Sequence, residues 1–176
     1  MKWQTLDLEY AKNLVRFREM YLIFSDWQSF NKVEADAMLY LCSKPISILL
    51  PNVLNLDAET AIHLLQHKKY LEIGITELDN ETVSNSLLND RSCIRFSHLK
   101  KINPSCYKYF KNNINEIVFE ELLEIDDLLL TSLSKHVGIL TFENIEKFNE
   151  KQLVILQSHV GEIKMGPQKI NIIKNI

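Results

Sequence analysis

Glycine and proline are scarce in this chain, four of each in 176 residues, where an average protein has about one in eight. That shortage excludes collagen-like and low-complexity classes. Cysteine is also sparse: Cys42, Cys93 and Cys106 are an odd number with no C-x-x-C spacing, which argues against a disulfide framework or a zinc site. They read as small apolar side chains, reduced in a cytoplasmic protein. Long apolar runs are missing as well. The richest stretch, Met38 to Leu56, is broken by Lys44, Pro45, Pro51 and two asparagines, and Asp7 and Glu9 interrupt the only place for a signal-peptide core. Neither charge sign dominates, with 20 Lys+Arg against 23 Asp+Glu and 24% charged residues, so disorder and polyanion binding are disfavoured.

Motifs that carry chemistry are absent too. There is no G-x-S-x-G, P-loop, G-x-G-x-x-G or H-E-x-x-H. The basic runs His67-Lys68-Lys69 and Lys100-Lys101 are short and fall in turns, with no interleaved exposed aromatics. The expectation is a chain that is not an enzyme, holds no metal or cofactor, and binds neither nucleic acid nor membrane.

What the chain does have is 46% hydrophobic residues laid out with a period of 23. Ile48, Leu50, Val53 and Leu56 form the pattern I-x-L-x-x-V-x-x-L. The period carries it to Leu71 and Ile73, then to Ile94, Phe96, Leu99 and Ile102, then to Ile117, Phe119, Leu122 and Ile125. It continues to Leu140, Phe142, Ile145 and Phe148, and to Ile163 and Met165; backwards it reaches Ser25, Trp27, Phe30 and Val33. Two units deviate: Ile75 and Leu78 come one residue early, and Pro167 and Ile170 repeat that shift.

The first half of each unit alternates, the period of a strand. The second half places apolar residues three apart, as in Met38 and Leu41, Ala61 and Leu64, Tyr107 and Phe110, Leu130 and Leu133, Leu153 and Leu156, which is helical spacing. Between the halves stand Asp57, Asp79, Asn103, Asp126 and Asn149, each with a short acceptor for the free N–H groups of a first helical turn. Each unit therefore reads strand, turn, helix of ~9–10 residues, turn. Residues 1–24 do not fit the period. Leu6, Tyr10, Leu14, Phe17 and Tyr21 make one helical stripe, read as an N-terminal helical cap on a repeat region spanning 25–176, about six units with the last incomplete.

The segments VLNLDAETAIHLLQHKKYLEI and ILTFENIEKFNEKQLVILQSHVGEIKM resemble bacterial leucine-rich repeats of a 23-residue type, loosely L-x-L-x-x-L-x-x-L-[SD]-x-E-x-x-x-x-L-x-x-H-x-G. The resemblance covers about residues 25–170. It implies an α/β leucine-rich-repeat solenoid, with one short parallel strand and one helix per unit, that binds other macromolecules. The chain departs from the better-known pattern at the asparagine-ladder offset, which holds Phe30, Val53, Leu99, Leu122 and Ile145.

Two sets of residues are candidates for function. His67, His136 and His159 share one offset. They read as polar residues near helix C-termini, bonding terminal carbonyls, rather than as a metal column. The second set lies on the open sheet face, where the residue between two core positions points away from the core: Leu49, Glu72, Arg95, Val118, Thr141 and Lys164. Tyr70, Glu116, Ile139 and Glu162 precede the strands on that face, and Ser97, Glu120 and Glu143 follow them. The binding surface expected is Tyr70, Glu72, Arg95, Glu116, Glu120, Thr141, Glu143, Glu162 and Lys164. Its carboxylates, opposed from strand to strand, suit a protein partner with a basic segment. The alternative is an assembly repeat that self-associates through an open C-terminal end, or a regulatory repeat of a larger protein.

Overall fold

A computed structural model describes residues 4–17, 30–111, 114–145 and 147–166. It is an α/β fold built on a parallel sheet. Strands β1 (Gln4–Leu6) and β2 (Phe30–Val33), with helices α1 (Leu8–Phe17) and α2 (Ala35–Cys42), lead into β3 (Ile48–Leu50), α3 (Ala58–Ile62) and β4 (Tyr70–Ile73). The short β5 (Glu77–Leu78), α4 (Glu81–Leu87), β6 (Cys93–Phe96) and β7 (Lys101–Ile102) follow. Then come β8 (Glu116–Phe119), α5 (Asp127–Leu133), β9 (Ile139–Phe142), α6 (Glu150–Leu156) and β10 (Ile163–Met165).

Six strands, β3, β4, β6, β8, β9 and β10, form one parallel sheet in which each lies beside the next in sequence. The paired residues Ile48–Leu71, Leu71–Ile94, Ile94–Ile117, Ile117–Leu140 and Leu140–Ile163 each stand one sequence period apart. Backbone bonds carry the ladder one residue further, from Gly74 N–H to the Leu50 carbonyl at 3.0 Å through Gly166 N–H to the Phe142 carbonyl at 2.8 Å.

This register lines up the apolar residues. Ile48, Leu71, Ile94, Ile117, Leu140 and Ile163 make one row, and Leu50, Ile73, Phe96, Phe119, Phe142 and Met165 the next; none exceeds 8% exposure. Within the second row the Phe96, Phe119 and Phe142 rings stack at 5.7 and 5.5 Å, within 15° of parallel, and Phe110 from the helical layer packs 6.0 Å from Phe119. Burying each such ring contributes ~1.5–3 kcal/mol, and the stacked contacts add to that.

The helical layer is shorter than the spacing predicts. α2 to α6 run five to eight residues, α3 tightens into a 3-10 turn at His63–Gln66, and Pro104–Lys111 is 3-10 throughout. Four of the five expected caps hold. Asp57 and Asp126 each accept at 2.7 Å from the third residue on, Asn103 accepts from Ser105, and Asn149 forms a capping box with Gln152. Asp79 does not cap; Asn80 does, accepting from Thr82 and Val83.

The reason is a compensated slip. The loop after β4 is one residue short: Ile75 follows Val53 by one residue less than the period, and the Thr76 N–H bonds the Leu54 carbonyl across 22 residues where the regular ladder bonds span 24. β5 then pairs with β7 in a register one longer than the period, Leu78 against Ile102. Asp79 is the residue that restores the period, returning the cap to Asn80, one full unit before Asn103.

The N-terminal stripe is corrected in part. Leu6 lies on a strand, paired with Val33 in the parallel β1–β2 sheet, and not on a helix. Asp7 then accepts from the Tyr10 N–H at 2.8 Å, and the buried face of α1 presents Ala11 and Leu14 while Tyr10 is 45% exposed. Tyr21, Ser25, Trp27, Pro167 and Ile170 lie outside the described residues. Leu153 also departs from expectation: it is 38% exposed where its counterparts Met38, Ala61 and Leu130 are fully buried.

Two measurements check this architecture. Phe119→Ala removes the middle ring of the stack, so urea unfolding should show a loss of about 3–5 kcal/mol. Asn80→Ala should cost ~1 kcal/mol and Asp79→Ala under ~0.5 kcal/mol; equal effects would contradict the shifted cap.

Candidate interaction face

Side chains alternate across a strand, so the residue between two core positions emerges on the face opposite the helices. The register places Leu49, Glu72, Arg95, Val118, Thr141 and Lys164 side by side along that face, as the spacing predicts. They are not equally accessible. Leu49, Val118 and Thr141 are buried at 9% exposure or less, and Glu72, Arg95 and Lys164 are half-buried. In the preceding column Tyr70 sits against Cys93, and Glu116 against Ile139. The following column holds Ser97, Glu120 and Glu143, whose N–H groups bond the carbonyls of the neighbouring strand.

A diagonal network ties these columns together. The Ser97 hydroxyl donates to Glu72 at 3.0 Å and the Thr141 hydroxyl to Glu116 at 3.2 Å; in both cases the partner stands 25 residues away. The Arg95 guanidinium donates to Glu120 along the same diagonal and lies 3.8 Å from Glu143. Tyr70 donates its hydroxyl to the Glu72 carboxylate at 3.4 Å. The Lys164 ammonium is 3.7 Å from Glu116 and 3.9 Å from Glu162. Such a diagonal is one strand across and two residues along, the distance at which long side chains on one face meet.

This changes the electrostatic picture. The like charges at Glu120 and Glu143, one strand apart, do not face each other uncompensated, because Arg95 reaches both. Five carboxylates (Glu72, Glu116, Glu120, Glu143 and Glu162) against Arg95 and Lys164 still leave three negative charges in excess. Glu162 is the most open of the paired carboxylates, its side chain 54% exposed, with Glu143 at 37%. Cys93, which the spacing did not single out, lies 3.9 Å from Glu116. Burial, and then that carboxylate, push its thiol up to about 12, so it stays an uncharged thiol on the face.

Two of the three histidines, His67 and His159, bond carbonyls outside the helix ends expected for them. His67, His136 and His159 are each 1% exposed. His67 Nε2 lies 3.2 Å from the Tyr70 carbonyl, at the start of the next strand, and His159 Nε2 lies 3.0 Å from the carbonyl of Gly138 in the preceding unit. The rings of His136 and His159 stack at 6.1 Å. His159 thus joins its unit to the one before it. A Cβ at Gly161 would come within 1.9 Å of the Gly138 carbonyl oxygen, so glycine there is required by close approach. Helix-end carbonyls are instead taken by Arg91, 4% exposed, whose guanidinium donates to Leu64 at 3.3 Å and Ser86 at 2.6 Å. No spacing signal marks Arg91, because its counterparts one period away are Lys68 and Ile114.

Among the described residues, no group of three or more His, Cys, Asp or Glu could hold a metal ion, and no helix is long and apolar enough to cross a membrane. Comparison with protein-family models, curated proteins and solved structures returns no match to the chain.

Burial, chiefly, lowers the His67 imidazole to about 4, against ~6.5 in an unfolded chain. The unfolded chain therefore binds the extra proton between those values. The stability His67 contributes is complete above ~6.5 and is lost as pH falls toward about 4. His67→Gln should flatten this dependence by up to ~3 kcal/mol. Urea midpoints at neutral and acid pH measure it; a wild-type acid loss as large in the variant would contradict the assignment.

Proposed function

We propose that the chain is a non-catalytic protein-interaction module, a leucine-rich-repeat-type solenoid acting in the cytoplasm, whose open sheet face receives a partner bearing a basic segment. The single observation that carries this reading is the face itself. A row of carboxylates is held in place by diagonal hydrogen bonds and ion pairs, with three negative charges in excess over the row and its two most open members, Glu143 and Glu162, toward one end. Side chains already fixed by one another lose little further freedom on binding. Excess charge of one sign steers an oppositely charged partner and suppresses others. Three free cysteines, two buried and one half-buried, suit a reducing compartment.

A second reading, end-to-end assembly, is favoured by one observation. Leu153 on α6 is 38% exposed, where the matching Met38, Ala61 and Leu130 of earlier helices are fully covered.

The test compares the wild type with a Glu143→Lys, Glu162→Lys variant, both checked for unchanged thermal unfolding. Proteins captured from lysate by each are identified by mass spectrometry, and light scattering measures mass against concentration. The interaction reading predicts a partner held by the wild type and lost, at least tenfold, by the variant, with both chains monomeric. Identical capture by the two chains, or mass rising with concentration through Leu153, would overturn it in favour of assembly.

A further inference from the structure

The loop that loses a residue opens the edge of the molecule. Just past the sheet, Asn52, His98 and Glu121 stand at equivalent places, between the last ladder residue and the next core residue of their units. In the unit of β4 nothing stands there, because Gly74 runs directly into the buried Ile75. The missing side chain leaves a cavity of about 460 Å³ bordered by Asn52, Leu54, Thr76, His98, Lys100 and Glu121. That volume lies in the range of small-ligand sites, ~300–1,000 Å³. It is elongated: Asn52 follows β3 and Glu121 follows β8, three strand steps apart in the sheet order, or ~14 Å at ~4.8 Å per strand.

Most of the residues around it carry polar groups, and its charges are already matched. Glu121 lies 3.0 Å from His98 Nδ1 through one oxygen and 3.1 Å from the Lys100 ammonium through the other. The bonds from His98 and then Lys100 hold its carboxyl below the usual range, so the braced carboxylate persists in acid. An anionic ligand would meet Glu121 and a cationic one Lys100, so neither gains a net attraction. An extended peptide would want successive apolar side-chain pockets, and the lining offers one apolar residue, Leu54, 44% exposed. Beside that fixed acceptor, Glu121, and its donors the cavity holds two groups that can both donate and accept, the Asn52 amide and the Thr76 hydroxyl. Leu54 supplies a small apolar surface for the face of a ring.

We propose that this notch binds a short neutral oligosaccharide laid along the loop edge, its hydroxyls bonding Thr76, Asn52 and the braced Glu121 while Leu54 lies under one ring. None of these residues belongs to the sheet face, so the site is separate from the protein-interaction surface.

The test is an amide-detected NMR titration of the full chain with cellotriose, maltotriose and triacetylchitotriose, with inorganic phosphate as the charged control. The expected result is saturable shifts at Thr76, His98 and Glu121 with one of the trisaccharides and none with phosphate. Glu121→Gln should weaken that binding at least tenfold. Thr76→Val, which keeps side-chain shape and should leave the fold intact, should weaken it severalfold. Phosphate shifting those amides, all three trisaccharides leaving them unmoved, or both variants binding like the wild type would overturn the proposal.

Discussion

Each strand of the main sheet turns two apolar side chains toward the helices. They meet their counterparts only if every strand steps from its neighbour by the same number of residues. A slip of one residue would carry Phe119 outward and Val118 inward, exposing a ring and burying nothing comparable. The Phe96–Phe119–Phe142 stack shows the constraint at work. Its ring centroids lie 5.7 and 5.5 Å apart only because each phenylalanine pairs directly with the next across the sheet. The same register lines up Glu72, Arg95, Thr141 and Lys164 on the other face. Core and candidate binding surface are two sides of one spacing.

The departures from the period are equally informative. The short loop after β4 slips by one residue and Asp79 restores it, so the sheet keeps its register while the loop edge opens beside Thr76. Between units, hydrogen bonds substitute for a regular asparagine ladder. Asn89 donates to the Leu65 carbonyl and Asn144 to the Glu120 carbonyl, each reaching back 24 residues, and His159 reaches Gly138. These polar side chains satisfy a backbone carbonyl of a neighbouring unit, which is what makes burying His159 tolerable.

Much of the fold was legible because the period is read directly from the apolar positions, and four helix caps followed from it. The face positions followed as well, since alternation within a strand leaves one choice once the core side is known. Three kinds of feature escaped. Leu6 looked helical because its distance from Tyr10 fits a helix face, while its pairing with Val33 depends on a strand far along the chain. The Asp79 cap failed because apolar spacing shows where a residue is lost and not where it is regained. Arg95 reads in sequence as one more residue of the face, yet its guanidinium reaches carboxylates that follow two neighbouring strands and offsets their like charge. Side-chain reach of that kind has no one-dimensional signature.

The central claim is that one constant step, equal to the sequence period and shared by all five strand pairs, generates both the core and the face. Cross-strand proton contacts in a NOESY spectrum of the labelled chain measure that step directly. The account predicts contacts joining Leu49 to Glu72, Glu72 to Arg95, Arg95 to Val118, Val118 to Thr141, and Thr141 to Lys164. Contacts across the main sheet displaced by one residue in either direction, or strands joined out of sequence order, would contradict it.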